Sequence, residues 1–297
     1  MEQLQKRIDE ITINEYQITS IDGTTISVWR IAAHDDTSIP RPGVIHAHGG
    51  GFIRRQRNMR TVDPNGFSLK QLGDVWLEQS KVVLLYVEYH LATEMPFPAA
   101  ATDVYLTFKW ATDETNARKL GVDRNKIGLM GFSAGGNLAL TAALMARDDG
   151  LSPPVCGLML LYPMLDPNAK WEGHKAVPGK TEADVVADKA FLQHGWNAYL
   201  GPSENLQKYA RLLLESFAGL PPTYLDVGGS DYFCEEVNQL KTTLENARVD
   251  LTWTEWPNMP HSFEGLRDPN EEVTQTVQMA QIKRHIFWQD VFAGPTM

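Results

Sequence analysis

Five short, almost wholly apolar runs, Gly43 to His46, Val82 to Val87, Ile127 to Met130, Gly157 to Leu161 and Thr223 to Val227, alternate along this chain with segments of helical periodicity. The helical patterns fall at about 70 to 80, 98 to 120, 135 to 148, 233 to 247 and 271 to 289. A strand apolar on both faces must be covered on both, and right-handed crossovers place helices on each side of a parallel sheet. The alternation therefore predicts a doubly wound α/β sheet. Ahead of it, the alternation in Tyr16 to Ile18 and Thr25 to Ile31 around Asp22-Gly23 predicts a β-hairpin, and residues 2 to 11 a short polar amphipathic helix. A length of 297 residues carries a soft prior of about two domains, but no repeat, low-complexity tract or long linker divides the chain. One unit spanning 1–297 is the expectation, with 43% hydrophobic residues to build its core.

The rhythm breaks between about Asp166 and Leu220, where one strand ends near Pro163 and the next begins at Pro222. This stretch is too long for a plain crossover and holds a helical pattern at Glu182 to Leu200 rich in Trp and other apolar residues. Because ligand sites in open α/β sheets lie at the strands' C-terminal edge, the insertion is expected to cover that edge as a cap. Other classes are disfavoured by composition. With 27 Lys plus Arg against 37 Asp plus Glu, the net charge of −10 repels phosphate backbones and anionic lipid, so nucleic acid is not an expected partner. Cys156 and Cys234 could form one bridge at most, far from a disulfide scaffold, which points to a reducing compartment. The first residues lack an apolar signal-like core, and the longest apolar run, Val155 to Leu165, is too short to cross a bilayer. The expectation is a soluble cytoplasmic protein with no stable membrane insertion.

Three segments carry chemistry. Gly131-Phe132-Ser133-Ala134-Gly135-Gly136 follows one predicted strand and opens a helix. A serine nucleophile in an α/β sheet sits on such a strained turn, where flanking glycines let strand and helix approach. The Gly-Lys-Ser/Thr tail of a phosphate loop is missing, as is Gly-x-Gly-x-x-Gly, which argues against a nucleotide. His46-Ala47-His48-Gly49-Gly50-Gly51-Phe52 follows another strand. Three glycines cost backbone entropy that makes sense where main-chain N–H groups must turn toward a developing negative charge. The oxyanion hole is therefore assigned to the amides of Gly50, Gly51 and Ala134. His46 and His48 share a strand face, as a metal pair would, but no Cys or carboxylate stands nearby with ligand spacing, and a histidine beside a glycine turn more often bonds the loop into shape. No metal or organic cofactor is expected.

A serine nucleophile needs a base, and the base an acid to fix its tautomer. His261 lies in a loop between the strand-like Leu251 to Trp256 and the last helix, hence at a C-terminal strand edge. For the acid, Asp231 follows the strand Thr223 to Val227 and a Gly228-Gly229-Ser230 turn; its rival Asp226 lies inside that strand. The order Ser133, Asp231, His261 is the α/β-hydrolase order.

These motifs, with Tyr89-His90-Leu91-Ala92-Thr93-Glu94-Met95-Pro96-Phe97-Pro98 and Gly219-Leu220-Pro221-Pro222-Thr223, resemble the hormone-sensitive-lipase-like branch of the α/β-hydrolases from about residue 43 to the end. The resemblance implies an eight-stranded, mostly parallel sheet with helices on both faces, under a helical cap built from about 1–12 and the insertion at about 166–220. It implies a serine carboxylesterase acting on short acyl esters of small molecules. It also implies, by analogy with relatives that pair through an edge strand or the last helix, a homodimer. Phe132 stands where the family's elbow commonly has acidic or small residues, Thr93 where it has proline, and Ser262 where it often has glycine. An amidase, lactonase or acyltransferase would use the same machinery, and pocket shape, set by Trp171, Phe191, Trp196 and Tyr199, decides among them. A receptor of the same fold without catalysis would lack a triad residue, and all three candidates are present. Arg54, Arg55, Arg57 and Arg60 form a basic cluster just past the glycine loop. It is either solvated or turned to the pocket mouth, where it would favour anionic substrates.

Overall fold

The computed structural model describes residues 11–33, 39–55, 81–169, 171, 181–201, 208–266 and 270–294. Eight strands form one sheet: β1 (Ile11–Thr19), β2 (Thr25–Ala33), β3 (Arg41–Ala47), β4 (Val83–Glu88), β5 (Val122–Phe132), β6 (Leu158–Leu161), β7 (Thr223–Gly228) and β8 (Leu251–Trp256). Their spatial order is β1-β2-β4-β3-β5-β6-β7-β8. The β1–β2 hairpin and the β2–β4 pair are antiparallel, and every later pair is parallel. This is the mostly parallel eight-stranded sheet of the α/β-hydrolase fold, and its C-terminal edge gathers the ends of β3, β5, β6, β7 and β8.

Among the described residues the helices are α1 (Ala99–Ala111), α2 (Glu114–Leu120), α3 (Ala134–Asp148), α4 (Glu182–Leu200), α5 (Cys234–Asn246) and α6 (Glu271–Ala293). The helical pattern at 98 to 120 is two helices, because the Asp113 carboxylate accepts the N–H groups of Thr115 and Asn116 and starts a second helix. β5 begins five residues earlier than its apolar run, since polar residues 123–126 extend it where its flank is less covered. The core is one large apolar cluster on the sheet, and a smaller one of Trp256, Met259, Phe263, Val273 and Ala280 underlies the loop that carries His261. α6 comes close to the sheet where side chains are missing: a Cβ on Gly128 would fall 2.4 Å from the Trp288 ring.

The helix expected over residues 2 to 11 lies outside the described residues, except that Ile11 opens β1. The expected helix at 70 to 80 lies outside them too, as do Arg57 and Arg60. In the insertion, α4 spans the expected residues. The Thr181 hydroxyl accepts the Asp184 N–H while the Asp184 carboxylate accepts the Thr181 N–H, satisfying orphan donors at both ends of the first turn. Its buried residues Leu192, Gly195, Trp196 and Tyr199 form one stripe at helical spacing. That stripe packs on the glycine loop after β3: the Phe52 ring stacks on Tyr199 at 4.0 Å and meets Trp196 at 5.1 Å. Trp196 and Tyr199 thus fasten α4 to the loop rather than forming an open wall.

Candidate active site

Ser133 sits alone between the end of β5 and the start of α3, with φ 53° and ψ −121°. Residues with a side chain avoid this region, and holding one there costs on the order of 1–3 kcal/mol. Hydrogen bonds over-determine it. The Ser133 N–H donates to the Leu161 carbonyl at 3.0 Å, and its own carbonyl accepts the N–H groups of Gly136 at 2.9 Å and Met164 at 3.0 Å. The glycines are required by close approach. A Cβ on Gly131 would lie 2.1 Å from the Gly135 carbonyl oxygen, and one on Gly135 2.1 Å from that of Ala47. The second contact locks the elbow against the end of β3, where the glycine loop starts.

In that loop Gly50 and Gly51 have φ of 116° and 58°. Gly49 lies against the serine, since a Cβ there would be 3.5 Å from Ser133 Cβ. Among the described residues, no acceptor takes the N–H of Gly50, Gly51 or Ala134. Backbone N–H groups without an acceptor of their own are the kind of donor a tetrahedral oxyanion needs. His48 shapes the loop: its Nδ1 lies 2.6 Å from the Gly49 carbonyl, and the Tyr89 hydroxyl donates to the His48 carbonyl at 2.7 Å. Burial pushes the His48 imidazole down to about 4 and that of His46 to about 3, so both stay uncharged. No group of three His, Cys, Asp or Glu side chains among the described residues could hold a metal ion.

Asp231 and His261 meet. The Asp231 carboxylate oxygens lie 2.9 and 3.0 Å from His261 Nδ1, and the Phe233 N–H donates to the same carboxylate at 2.9 Å. An ionised carboxylate only accepts, so this bond puts hydrogen on Nδ1 and leaves Nε2 as the basic nitrogen. The described contacts include no hydrogen bond between the Ser133 hydroxyl and His261. They connect through aromatic packing instead. The imidazole is gripped edge-on by Phe233 at 4.8 Å and Tyr162 at 4.9 Å, and the Tyr162 ring stacks at 6.2 Å on Phe132, the residue before the serine. Hydrogen bonds between a nucleophile and its base are often long or misaligned in the absence of substrate. Phe132, unusual in the elbow, thus has a packing role, and it also meets His46 edge-on at 4.9 Å. Ser262 has φ 55°, which explains the glycine common at that position in the resembling family.

The rival acid Asp226 is buried elsewhere. Its Oδ2 accepts from Arg284 Nη2 at 2.8 Å and Nε at 3.1 Å, and from Tyr224 and Trp256 at 3.1 Å each. Burial pushes its carboxyl up while Arg284 pulls it down, and Arg284 is held firmly charged by Asp226 and Glu264. Glu264 in turn accepts the Tyr162 hydroxyl at 3.2 Å and pairs with Arg284 at 2.6 Å. Two residues that no motif marks therefore support the site. Tyr162 wedges between elbow and imidazole. Glu236, buried in α5, accepts the N–H groups of Leu165 at 2.9 Å and Asp166 at 3.0 Å, where the chain leaves β6 for the insertion.

A model of the alpha/beta hydrolase fold family matches residues 44–265, and the chain belongs to that family. Its relatives place it in the hormone-sensitive-lipase-like group. It is 31% identical to Esterase LipI of Mycobacterium tuberculosis over 233 residues, covering 75% of this chain and 66% of LipI. It is 36% identical to Hormone-sensitive lipase of Homo sapiens over 128 residues, 42% of this chain and 11% of that much longer protein. Among solved structures, Bacterial Heroin Esterase superposes with a TM-score of 0.78 at 25% identity, covering 95% of this chain and 86% of that one. No helix among the described residues is long and apolar enough to cross a membrane.

Proposed function

We propose that this protein is a serine carboxylesterase that hydrolyses short-chain acyl esters of small molecules through an acyl-enzyme. The reading is carried by the Asp231–His261 pair, which aromatic packing links to the elbow of a strained Ser133, with the Gly50, Gly51 and Ala134 amides left without acceptors among the described residues. Its relatives' names as esterases agree with it. In the first step His261 Nε2 takes the Ser133 proton as Oγ attacks the ester carbonyl, and Gly50, Gly51 and Ala134 bind the oxyanion. The resulting imidazolium, held by Asp231, protonates the leaving alcohol, and water then repeats the cycle on the acyl-enzyme. The chemistry calls for no cofactor. In this reading α4 is the cap, and its contact with Gly51 limits the room for the acyl chain.

A series of 4-nitrophenyl esters from acetate to palmitate tests this. The expected profile peaks at short acyl chains and falls steeply beyond them, and an organophosphate should label Ser133 in the intact-mass and peptide spectra. Absence of turnover with every ester, or labelling at another residue, would refute the assignment. Support for the homodimer comes from β8 being an edge strand beside exposed Met279, Ile282 and Ile286, a stripe along α6. Sedimentation equilibrium should return twice the mass of one chain; a single-chain mass at micromolar concentration removes the dimer.

A further inference from the structure

The loop that carries Gly50 and Gly51 continues into two exposed arginines whose situations differ. Arg55 is neutralised: its Nη2 lies 2.9 Å from each oxygen of Glu94. Arg54 has no carboxylate partner among the described residues. Its guanidinium instead rests 4.4 Å over the centre of the Phe191 ring on α4. The same ring presses on the oxyanion loop, because a Cβ on Gly51 would fall 2.9 Å from Phe191 Cε1. The backbone of Arg54 is equally close to the loop, its N–H donating to the Gly50 carbonyl at 3.0 Å. A positive charge without a carboxylate partner among the described residues is thus held one aromatic ring away from an amide proposed to bind the substrate carbonyl, on a chain whose net charge is −10.

Resting on the esterase reading, the geometry points to an anion subsite at Arg54, which selects short esters that carry a second, negatively charged group, such as half-esters of dicarboxylic acids. The contact with Phe191 restrains a side chain that would otherwise be floppy at the surface, so less entropy is lost when its N–H groups meet a carboxylate. Glu94 already occupies Arg55, so of the two arginines among the described residues of the loop the one without a carboxylate is Arg54. Hydrolysis itself is unchanged: water is consumed, the acyl C–O bond breaks and a new one forms to the water oxygen, and an alcohol, a second carboxylate and a proton are released.

The test compares kcat/KM for two pairs of esters. In one pair the charge is on the acyl side, mono(4-nitrophenyl) glutarate against 4-nitrophenyl butyrate; in the other it is on the alcohol side, 4-carboxyphenyl butyrate against phenyl butyrate. The expected result is that the anionic-to-neutral ratio falls about tenfold in Arg54→Gln for at least one pair, the size of one screened charge at this range. Arg54→Lys should keep the ratio within about threefold, raising the salt to about 0.5 M should lower the wild-type ratio, and Arg118→Gln, on the exposed surface of α2, should leave it unaltered. A residue that only clamps α4 would slow charged and neutral esters alike. Neutral esters turned over with ratios unmoved by Arg54→Gln in both pairs would overturn the subsite and leave the esterase reading standing. Failure of the wild type on all four esters would strike the esterase reading instead.

Discussion

Ser133→Ala is expected to lower kcat/KM on a short 4-nitrophenyl ester by about 10⁴-fold or more while leaving the fold intact. The size follows from removing the atom proposed to form the acyl-enzyme ester; what would be left over water comes from the proposed oxyanion donors and binding. Stability should hardly move, because the strained φ of 53° is borne by any residue with a Cβ, and the hydroxyl is tied into no described hydrogen bond. Ser133→Gly separates the two properties. It should be as inactive as Ser133→Ala and more stable than the wild type by about 1 kcal/mol, since glycine has no Cβ to clash in this region. Urea midpoints and initial rates on the same preparations check both claims. Retention of more than about a tenth of the activity in either variant would mean that another group attacks the ester.

That contrast shows why this part of the site could be read from sequence. Close backbone approach and positive φ exclude side chains, so the requirement is written as glycine: Gly131 and Gly135 against carbonyl oxygens, Gly50 and Gly51 at positive φ. The sheet was legible for a similar reason, as strands such as β4 and β6, buried almost throughout, can only be apolar runs. Contacts made by ordinary residues across long sequence distances leave no such mark. Nothing in a phenylalanine at 191 says that it will lie between Arg54 and Gly51, nor in Tyr162 that its ring will separate elbow from imidazole. The break between α1 and α2 was readable in principle, since Asp113 followed by Glu114 and Thr115 is a helix start set inside a continuous periodicity. Asp226 and Asp231 lie five residues apart around one strand end, and sequence order favours the second only weakly. It is the surroundings, Arg284 for one and His261 for the other, that assign them different work.

The same difference gives the second large expectation, that replacing either aspartate by asparagine is damaging but in opposite ways. Asp231→Asn keeps the shape of the side chain but not its capacity to accept from Nδ1–H with both oxygens or to stabilise the imidazolium, so turnover should fall about 10³- to 10⁴-fold. Its folding free energy should change by no more than about 1 kcal/mol, because the remaining amide oxygen can still accept the Phe233 N–H. Asp226→Asn removes one end of a buried ion pair and leaves the Arg284 charge, 5% exposed, facing Glu264 alone. A fully stranded partner would cost about 3–5 kcal/mol; with Glu264 still on Arg284 the loss should be about 2 kcal/mol, a drop in Tm of about 5 °C for a chain of this size. Because the Arg284–Glu264–Tyr162 chain ends at the ring beside His261, some loss of kcat should accompany it, though far less than for Asp231→Asn. Adding Arg284→Met to Asp226→Asn should recover no stability, since it strands the largely buried Glu264 carboxylate that pairs with Arg284 at 2.6 Å. Thermal scans and rates on the three variants decide the matter. A collapse of turnover in well-folded Asp226→Asn, with Asp231→Asn close to wild type, would transfer the acid's role to the buried residue, and the hydrogen bond between Asp231 and His261 would then be structural.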